Sequence, residues 1–210
     1  RRLKRAFGSW QRKLEGKAWN MLYLENHDHP RVISRYGSEK YRTESGKMLA
    51  VAYLFQKGTP FVYQGQEIGM TNWRPDSPEL YADVQTRHEY PPAALKKSPA
   101  ERLHRLWRSS RDSARTPVQW SDAPNAGFTS AAAPWLPVNP NYPSINVEAE
   151  EKDPQSLLHF YRRAIRLRKA LPAVRYGRYR EFYRLSDRLY VYARESAQQR
   201  LLIICSFSEK

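Results

Sequence analysis

Cysteine is almost missing. Cys205 stands alone among 210 residues, which excludes an intrachain disulfide framework and any zinc site built on paired cysteines, and points to a reducing, cytoplasmic compartment. Long apolar runs are missing too: no stretch approaches the roughly 20 residues that cross a bilayer, and no signal-like segment opens the chain. Neither a membrane span nor a membrane partner is expected. Acidic residues are scarce, 21 Asp and Glu against 36 Lys and Arg, for a formal net charge of +15. Such an excess marks a polyanion-binding protein when it gathers on one face. Here it is spread along helix-like segments such as 1–17 and 162–169, between apolar positions, as on a solvated surface, so no nucleic-acid partner is expected. An initial methionine is lacking as well; the chain opens on Arg1, and its true start is expected upstream.

Aromatic residues, by contrast, are plentiful. Six Trp and fourteen Tyr, within a hydrophobic fraction of 40%, describe a folded protein, and the length suits one ordinary domain or two small ones. Leu3, Phe7, Trp10 and Leu14 recur at helical spacing, so a helix is expected to end around Gly16. An apolar strand candidate follows at Met21 to Leu24 and gives way abruptly to Glu25-Asn26-His27-Asp28. A second helix is expected from Thr43, as cap, through Phe55, with Gly58 and Pro60 beyond. Phe61 to Tyr63 then form a second brief strand, again ending in a polar turn, 64–69.

This alternation of helix, strand and polar loop is the grammar of β/α units around a buried parallel sheet. In barrels of that kind the loops after the strands carry the chemistry, so 25–31 and 64–69 are the segments to search. Residues 71–155 read as a long excursion rich in Pro, Ser, Asn and Ala, with Pro91-Pro92 among its clusters, whose aromatics Trp107, Trp120, Phe128, Trp135 and Tyr142 imply packing onto a partner surface. A further helix is expected with Asp153 as cap, Pro154 at its first position, Leu157, Phe160, Ala164, Leu167 and Leu171 on one face, and Pro172 closing it. Three strands are expected after it, 178–183, 189–194 and 200–207.

Asp28 next to His27 at a strand end places a carboxylate and an imidazole at the mouth of the expected barrel, an arrangement equally compatible with a loop cap or a surface ion pair. The wider stretch, Asn26-His27-Asp28-His29-Pro30-Arg31, resembles a motif of the α-amylase family, glycoside hydrolase family 13, and more narrowly its oligo-1,6-glucosidase branch, in which Gln is usual where His29 stands. Three more segments match in the family's order: Gly58 to Asn72; Ala114-Arg115-Thr116-Pro117-Val118-Gln119-Trp120, with Val118 where Met is common; and Ser144-Ile145-Asn146-Val147. The resemblance runs from about Leu3 to Phe207. It implies an α/β fold, the C-terminal part of a (β/α)8 TIM barrel over 1–172, followed over 173–210 by the start of an all-β C-terminal domain.

The resemblance also implies chemistry: a retaining α-glucosidase acting on short α-linked gluco-oligosaccharides from the non-reducing end, with no cofactor and no metal. Retaining enzymes use a nucleophilic carboxylate and an acid about 5–5.5 Å apart, to which this family adds a third carboxylate, here Asp28, as transition-state stabiliser. His27 would donate to the same sugar, Arg115 would help close the sugar pocket, and Arg31 would line the acceptor side. Glu67 is expected to hold loop backbone, and Tyr63, Trp73, Tyr81, Trp107 and Trp135 to fill space ahead of stacking on sugars. The family's nucleophile and acid precede its Asn-His-Asp motif, so they are expected upstream of residue 1, leaving the 210 residues inactive alone. Alternatives remain: a non-catalytic carbohydrate-binding or transporter-associated relative, or another activity of the family such as trehalose-6-phosphate hydrolase or sucrose isomerase. Oligomeric state is not legible.

Overall fold

The computed structural model describes residues 2–88 and 98–208. The elements are α1 (Arg2–Lys13), β1 (Met21–Leu22), α2 (Val32–Tyr36), α3 (Arg42–Leu54), β2 (Thr59–Pro60), α4 (Val84–His88), α5 (Pro99–Ser109), α6 (Asp112–Arg115), α7 (Val147–Lys152), α8 (Leu157–Ala170), α9 (Pro172–Tyr176), β3 (Arg178–Phe182), β4 (Leu189–Glu195) and β5 (Arg200–Ser206).

β1 and β2 pair in parallel, Met21 against Thr59 and Leu22 against Pro60, with α2 and α3 forming the crossover between them. The second strand lies two residues earlier than expected. Thr59 N donates to Asn20 O at 2.8 Å and Phe61 N to Leu22 O at 2.7 Å; Pro60, which has no N–H, falls between the two donors at no cost. Gly58 makes this register possible. Its φ is +138° and a Cβ there would sit 2.5 Å from Asn20 O, a position only glycine occupies.

The helices of this half fall close to expectation in place, less so at their ends. α3 starts at Arg42 with Tyr41 at the cap position and no side-chain cap, so Thr43 lies inside it. α8 starts at Leu157 rather than Pro154: Ser156 Oγ accepts from His159 N at 3.2 Å, while Asp153 Oδ1 holds the preceding turn through Gln155 N at 2.8 Å. Its buried side chains are Leu157, Leu158, Tyr161, Ala164 and Arg168, and Leu167 faces outward. The face turns because Arg168 is drawn inward, donating to the carbonyls of Leu54, Gln56 and Gly58 where α3 ends. A guanidinium there satisfies orphan carbonyls at the negative end of the helix dipole. Pro172 begins α9 instead of merely ending α8.

β3, β4 and β5 form an antiparallel sheet in that order, each within one residue of expectation. Its inner face, Tyr190, Tyr192, Ile203 and Cys205, enters the same core as Leu22, Leu24, Leu49, Tyr53, Leu54, Leu157 and Tyr161. Each buried Leu or Ile contributes about 1.5–3 kcal/mol, so this shared cluster is the main tie between sheet and helices. Burial pushes the Cys205 thiol up to about 12. The excursion 71–155 holds α4 to α7 and a satellite cluster of Trp73, Tyr81 and Leu106. Three of its five expected anchors are not buried: Trp120 and Phe128 are half in solvent and Trp135 is 93% exposed. Pro91-Pro92 lies outside the described residues. No helix of the described residues is long and apolar enough to cross a membrane.

Candidate active site

The loop that leaves β1 is folded by its own side chains. Asn26 Oδ1 accepts from Asp28 N at 2.8 Å, and His29 N donates to Asn26 O at 3.2 Å, a local Asx turn of the kind Asn favours. The turn lifts His27 and Asp28 to the surface. The imidazole Nε2 of His27 stands 3.3 Å from Asp28 Oδ2, and the Asp28 side chain is 47% exposed.

The other oxygen of Asp28 is taken. Arg115 Nη2 donates to Oδ1 at 3.0 Å and Arg111 Nη1 to the same atom at 3.3 Å, while Arg115 Nε donates to the carbonyl of His27 at 2.9 Å. Some 87 residues of chain separate Asp28 from Arg115, yet the two expected site residues meet. Arg111 and Arg115 are four apart across the single turn of α6, so both project the same way. Behind them lies a carboxylate with no part in the sequence reading. Asp83 Oδ1 accepts from Arg111 Nη2 at 2.6 Å, Arg111 Nε at 3.0 Å and Arg115 Nη1 at 3.3 Å. Its Oδ2 caps α4, accepting from Thr86 N at 3.0 Å and Thr86 Oγ1 at 2.7 Å. Burial acts to raise this carboxyl, but the hydrogen bonds from Arg111 and Thr86 outweigh it and hold the pKa at about 2. Asp112 Oδ2 fixes the segment by accepting from Ala82 N and Asp83 N at 2.8 and 3.0 Å. A cavity of about 470 Å³ opens beside Asp83, Arg111 and Arg115, walled by Pro117, Phe128 and Trp135.

Arg31 is not where the sequence reading put it. Its side chain is 0% exposed. Nη1 pairs with Glu25 Oε1 at 3.2 Å and donates to Gln64 O at 2.7 Å, Nε donates to Ser113 O at 3.1 Å, and the guanidinium lies 5.4 Å from the Tyr63 ring centre. Five donors in a rigid fork make arginine the side chain that can fasten three segments at once. Arg31 therefore fixes the loop, the 64–69 turn and α6 relative to one another. Burial pushes the Glu25 carboxyl upward, against the opposing pull of Arg31 and of the Val32 backbone N–H.

The 64–69 turn is scaffold. Gly65 has φ +86°, and a Cβ there would strike Met70 Sδ at 2.3 Å. Gln66 Nε2 donates to Tyr53 Oη at 3.1 Å and Tyr161 Oη at 2.8 Å. Burial raises the Glu67 carboxyl against the pull of the Glu67 and Gly65 N–H groups, and Glu67 Oε2 is buried without a hydrogen-bond partner among the described residues. His29 turns away from Asp28 and stacks on Tyr23, ring centres 6.3 Å apart; burial and then Arg35 lower its pKa. Among the described residues no group of three or more His, Cys, Asp or Glu is arranged to hold a metal ion.

Residues 1–177 match the family described as α-amylase, catalytic domain. The chain belongs to the α-amylase family. It is 47% identical to the oligo-1,6-glucosidase of Parageobacillus thermoglucosidasius over 211 residues, which is 99% of this chain and 37% of that protein. Among solved structures, the trehalose-6-phosphate hydrolase of Bacillus licheniformis superposes with a TM-score of 0.94 at 42% identity, covering 100% of this chain and 38% of that one. The isomaltulose synthase of Protaminobacter rubrum gives 0.93 at 36% identity over 99% and 38%. The chain thus spans little more than a third of the length of these α-amylase-family relatives. In that fold β1 and β2 with their helices are part of a (β/α)8 barrel.

Proposed function

We propose that this chain supplies the sugar-gripping side of a retaining α-glucosidase that removes glucose from the non-reducing end of short α-linked gluco-oligosaccharides. The observation that carries the reading is the state of Asp28: one oxygen is held by two guanidinium groups, and the other faces outward beside His27. A carboxylate fixed in this way accepts hydrogen bonds from sugar hydroxyls without reorganising, and it stabilises the positive charge that grows on the ring as the glycosidic bond breaks. His27 donates to the same sugar. Arg115 holds Asp28 and borders the pocket.

Retaining hydrolysis needs two further carboxyls about 5–5.5 Å apart. Neither neighbouring carboxylate is free for the task, because Asp83 is tied to Arg111 and Arg115, and Glu25 to Arg31. By the order of motifs in the α-amylase family, we place the nucleophile and the acid on residues outside these 210 and expect the 210 residues alone to be inactive. We assign β3 to β5 to the start of an all-β domain over 173–210, behind a barrel portion over 1–172; the change from helices to an antiparallel ladder after α9, where β3 begins at Arg178, supports such a division. The one buried cysteine fits a reducing cytoplasm.

The test is Asp28→Asn in the native polypeptide that carries this segment, assayed on an aryl α-glucoside. Turnover is expected to fall by three orders of magnitude or more with the fold intact. Near-parent turnover, or glucose release by the 210 residues alone, overturns the reading. A trehalose-6-phosphate hydrolase is the second reading, favoured by the TM-score of 0.94 to such an enzyme; a kcat/KM higher on trehalose 6-phosphate than on isomaltose would select it.

A further inference from the structure

Asp83 divides its two oxygens between two tasks. Among the described residues, Oδ2 meets the start of α4, through Thr86 N and Oγ1. Oδ1 meets arginine, accepting from Arg111 Nε and Nη2 and from Arg115 Nη1. Both arginines then reach past it to a single atom, Asp28 Oδ1. The result is a square of two carboxylates and two guanidinium groups whose formal charges cancel. One carboxylate is shut away at 2% exposure and the other is 47% exposed.

We propose that Asp83 is a positioning residue for the reaction assigned above: by accepting from the Nε–Nη2 edge of Arg111 and from Nη1 of Arg115, it turns the two guanidinium groups so that they grip one oxygen of Asp28 and leave the other to His27 and the sugar. The reason is geometric. Arg115 spends Nε on the His27 carbonyl, Nη1 on Asp83 and Nη2 on Asp28, so each of its three nitrogens faces a different acceptor. Without the Asp83 anion, Nη1 would lose its acceptor. A guanidinium next to a carboxylate then relaxes into the two-pronged pair that is its best geometry, and that pair would occupy the second oxygen of Asp28. Asp83 thus works against the strongest local ion pair and preserves an open acceptor in the site.

This inference rests on Asp28 acting as proposed, and the experiment separates the two. In the native polypeptide, Asp83→Asn keeps a side-chain acceptor for the α4 cap and removes the charge. We expect kcat/KM on an aryl α-glucoside to fall a hundredfold or more, mostly in kcat, with Tm little changed. Thr86→Val removes the hydroxyl's bonds to Oδ2 and to Ser110 Oγ, leaves the bonds at Oδ1 in place, and should leave kcat/KM within threefold. In an Arg115→Ala background Asp83→Asn should change kcat/KM by less than it does in the parent, because one of the two residues through which it acts is gone. Asp83→Asn within threefold of the parent, an equal loss in Thr86→Val, or an undiminished effect in the Arg115→Ala background each overturns the inference. Should Asp83→Asn fail to fold, Arg111→Lys carries the test: a point charge cannot bridge both carboxylates, so a tenfold or larger loss supports the inference and a loss within threefold overturns it. Asp28→Asn at near-parent turnover removes the underlying reading; an inactive Asp28→Asn beside an unaffected Asp83→Asn removes only this one.

Discussion

Two arginine–carboxylate pairs stand at either end of one short loop, Glu25 with Arg31 and Asp28 with Arg115, and their surroundings are opposite. The first is dry on both sides, and its guanidinium is saturated by the carbonyls of Gln64, Ser113 and Ala114. The second is half in water and keeps one carboxylate oxygen facing out. Residue type does not separate a strut from a site. What separates them is whether any hydrogen-bonding capacity is left over once the fold has been satisfied, because a group with none to spare cannot bind a substrate and a group with none satisfied cannot be held still.

The comparison breaks if the two pairs answer mutation alike. Asp28→Asn should abolish turnover and leave Tm nearly where it was. Arg31→Met should do the reverse, costing about 3–5 kcal/mol in denaturant unfolding because Glu25 is left as an uncompensated buried charge. The sign of its pH dependence follows from the carboxyl that remains. Burial already raises Glu25 against the opposing pull of Arg31, and without that pull the folded state binds its proton more tightly than the unfolded one. The variant should therefore lose stability as pH rises from the ordinary carboxylate range toward neutrality. Adding Glu25→Gln should recover part of the loss; a double variant no more stable than Arg31→Met would show that the stranded charge is not the cause.

Legibility followed the same division. The parallel pair, the crossover helix and the three-stranded sheet were readable because periodicity and turn residues report burial, and burial is what builds elements. Asp28, His27 and Arg115 were named from motifs as site candidates, and the structure brings them together. Arg31 sits in the same motif and is buried among protein partners; a motif records that a residue is constrained without recording whether substrate or fold constrains it. The Gly58 to Asn72 and Ser144 to Val147 matches turn out to be scaffold as well: Gln66 ties down two tyrosines, and Asn146 caps α7 by accepting from Ala149 N. Arg111 carried a usable signal, its spacing of four from Arg115. Asp83 carried only that of a helix cap, Asp three before Thr86, and its second oxygen became meaningful only when the fold delivered two arginines from some thirty residues away.

Asp83 sharpens the comparison, being buried like Glu25 yet belonging to the exposed cluster. Its pKa of about 2 lies below the ordinary 3.8, so between those values the folded state binds fewer protons than the unfolded one. The contribution is complete above about pH 4 and is lost as pH falls through 2, amounting to at most about 2 kcal/mol. The stability of the parent should fall faster over this window than that of Asp83→Asn. Equal acid limbs in urea unfolding would show that the arginines do not hold the charge.

The smallest effect is expected where neither condition is met. Lys152 Nζ and Glu148 Oε1 are 2.6 Å apart at i, i+4 on α7, and both side chains stand in water. Glu148 raises the Lys152 ammonium above its usual value, but each partner loses rotamer freedom in pairing and salt screens what is gained. Lys152→Ala should leave Tm and turnover where they are, at low and at high salt. A clear loss of Tm at low salt that vanishes at high salt would mean that proximity alone stabilises an ion pair in this protein, and the distinction drawn between Arg31 and Arg115 would then need a cause other than what water leaves unsatisfied.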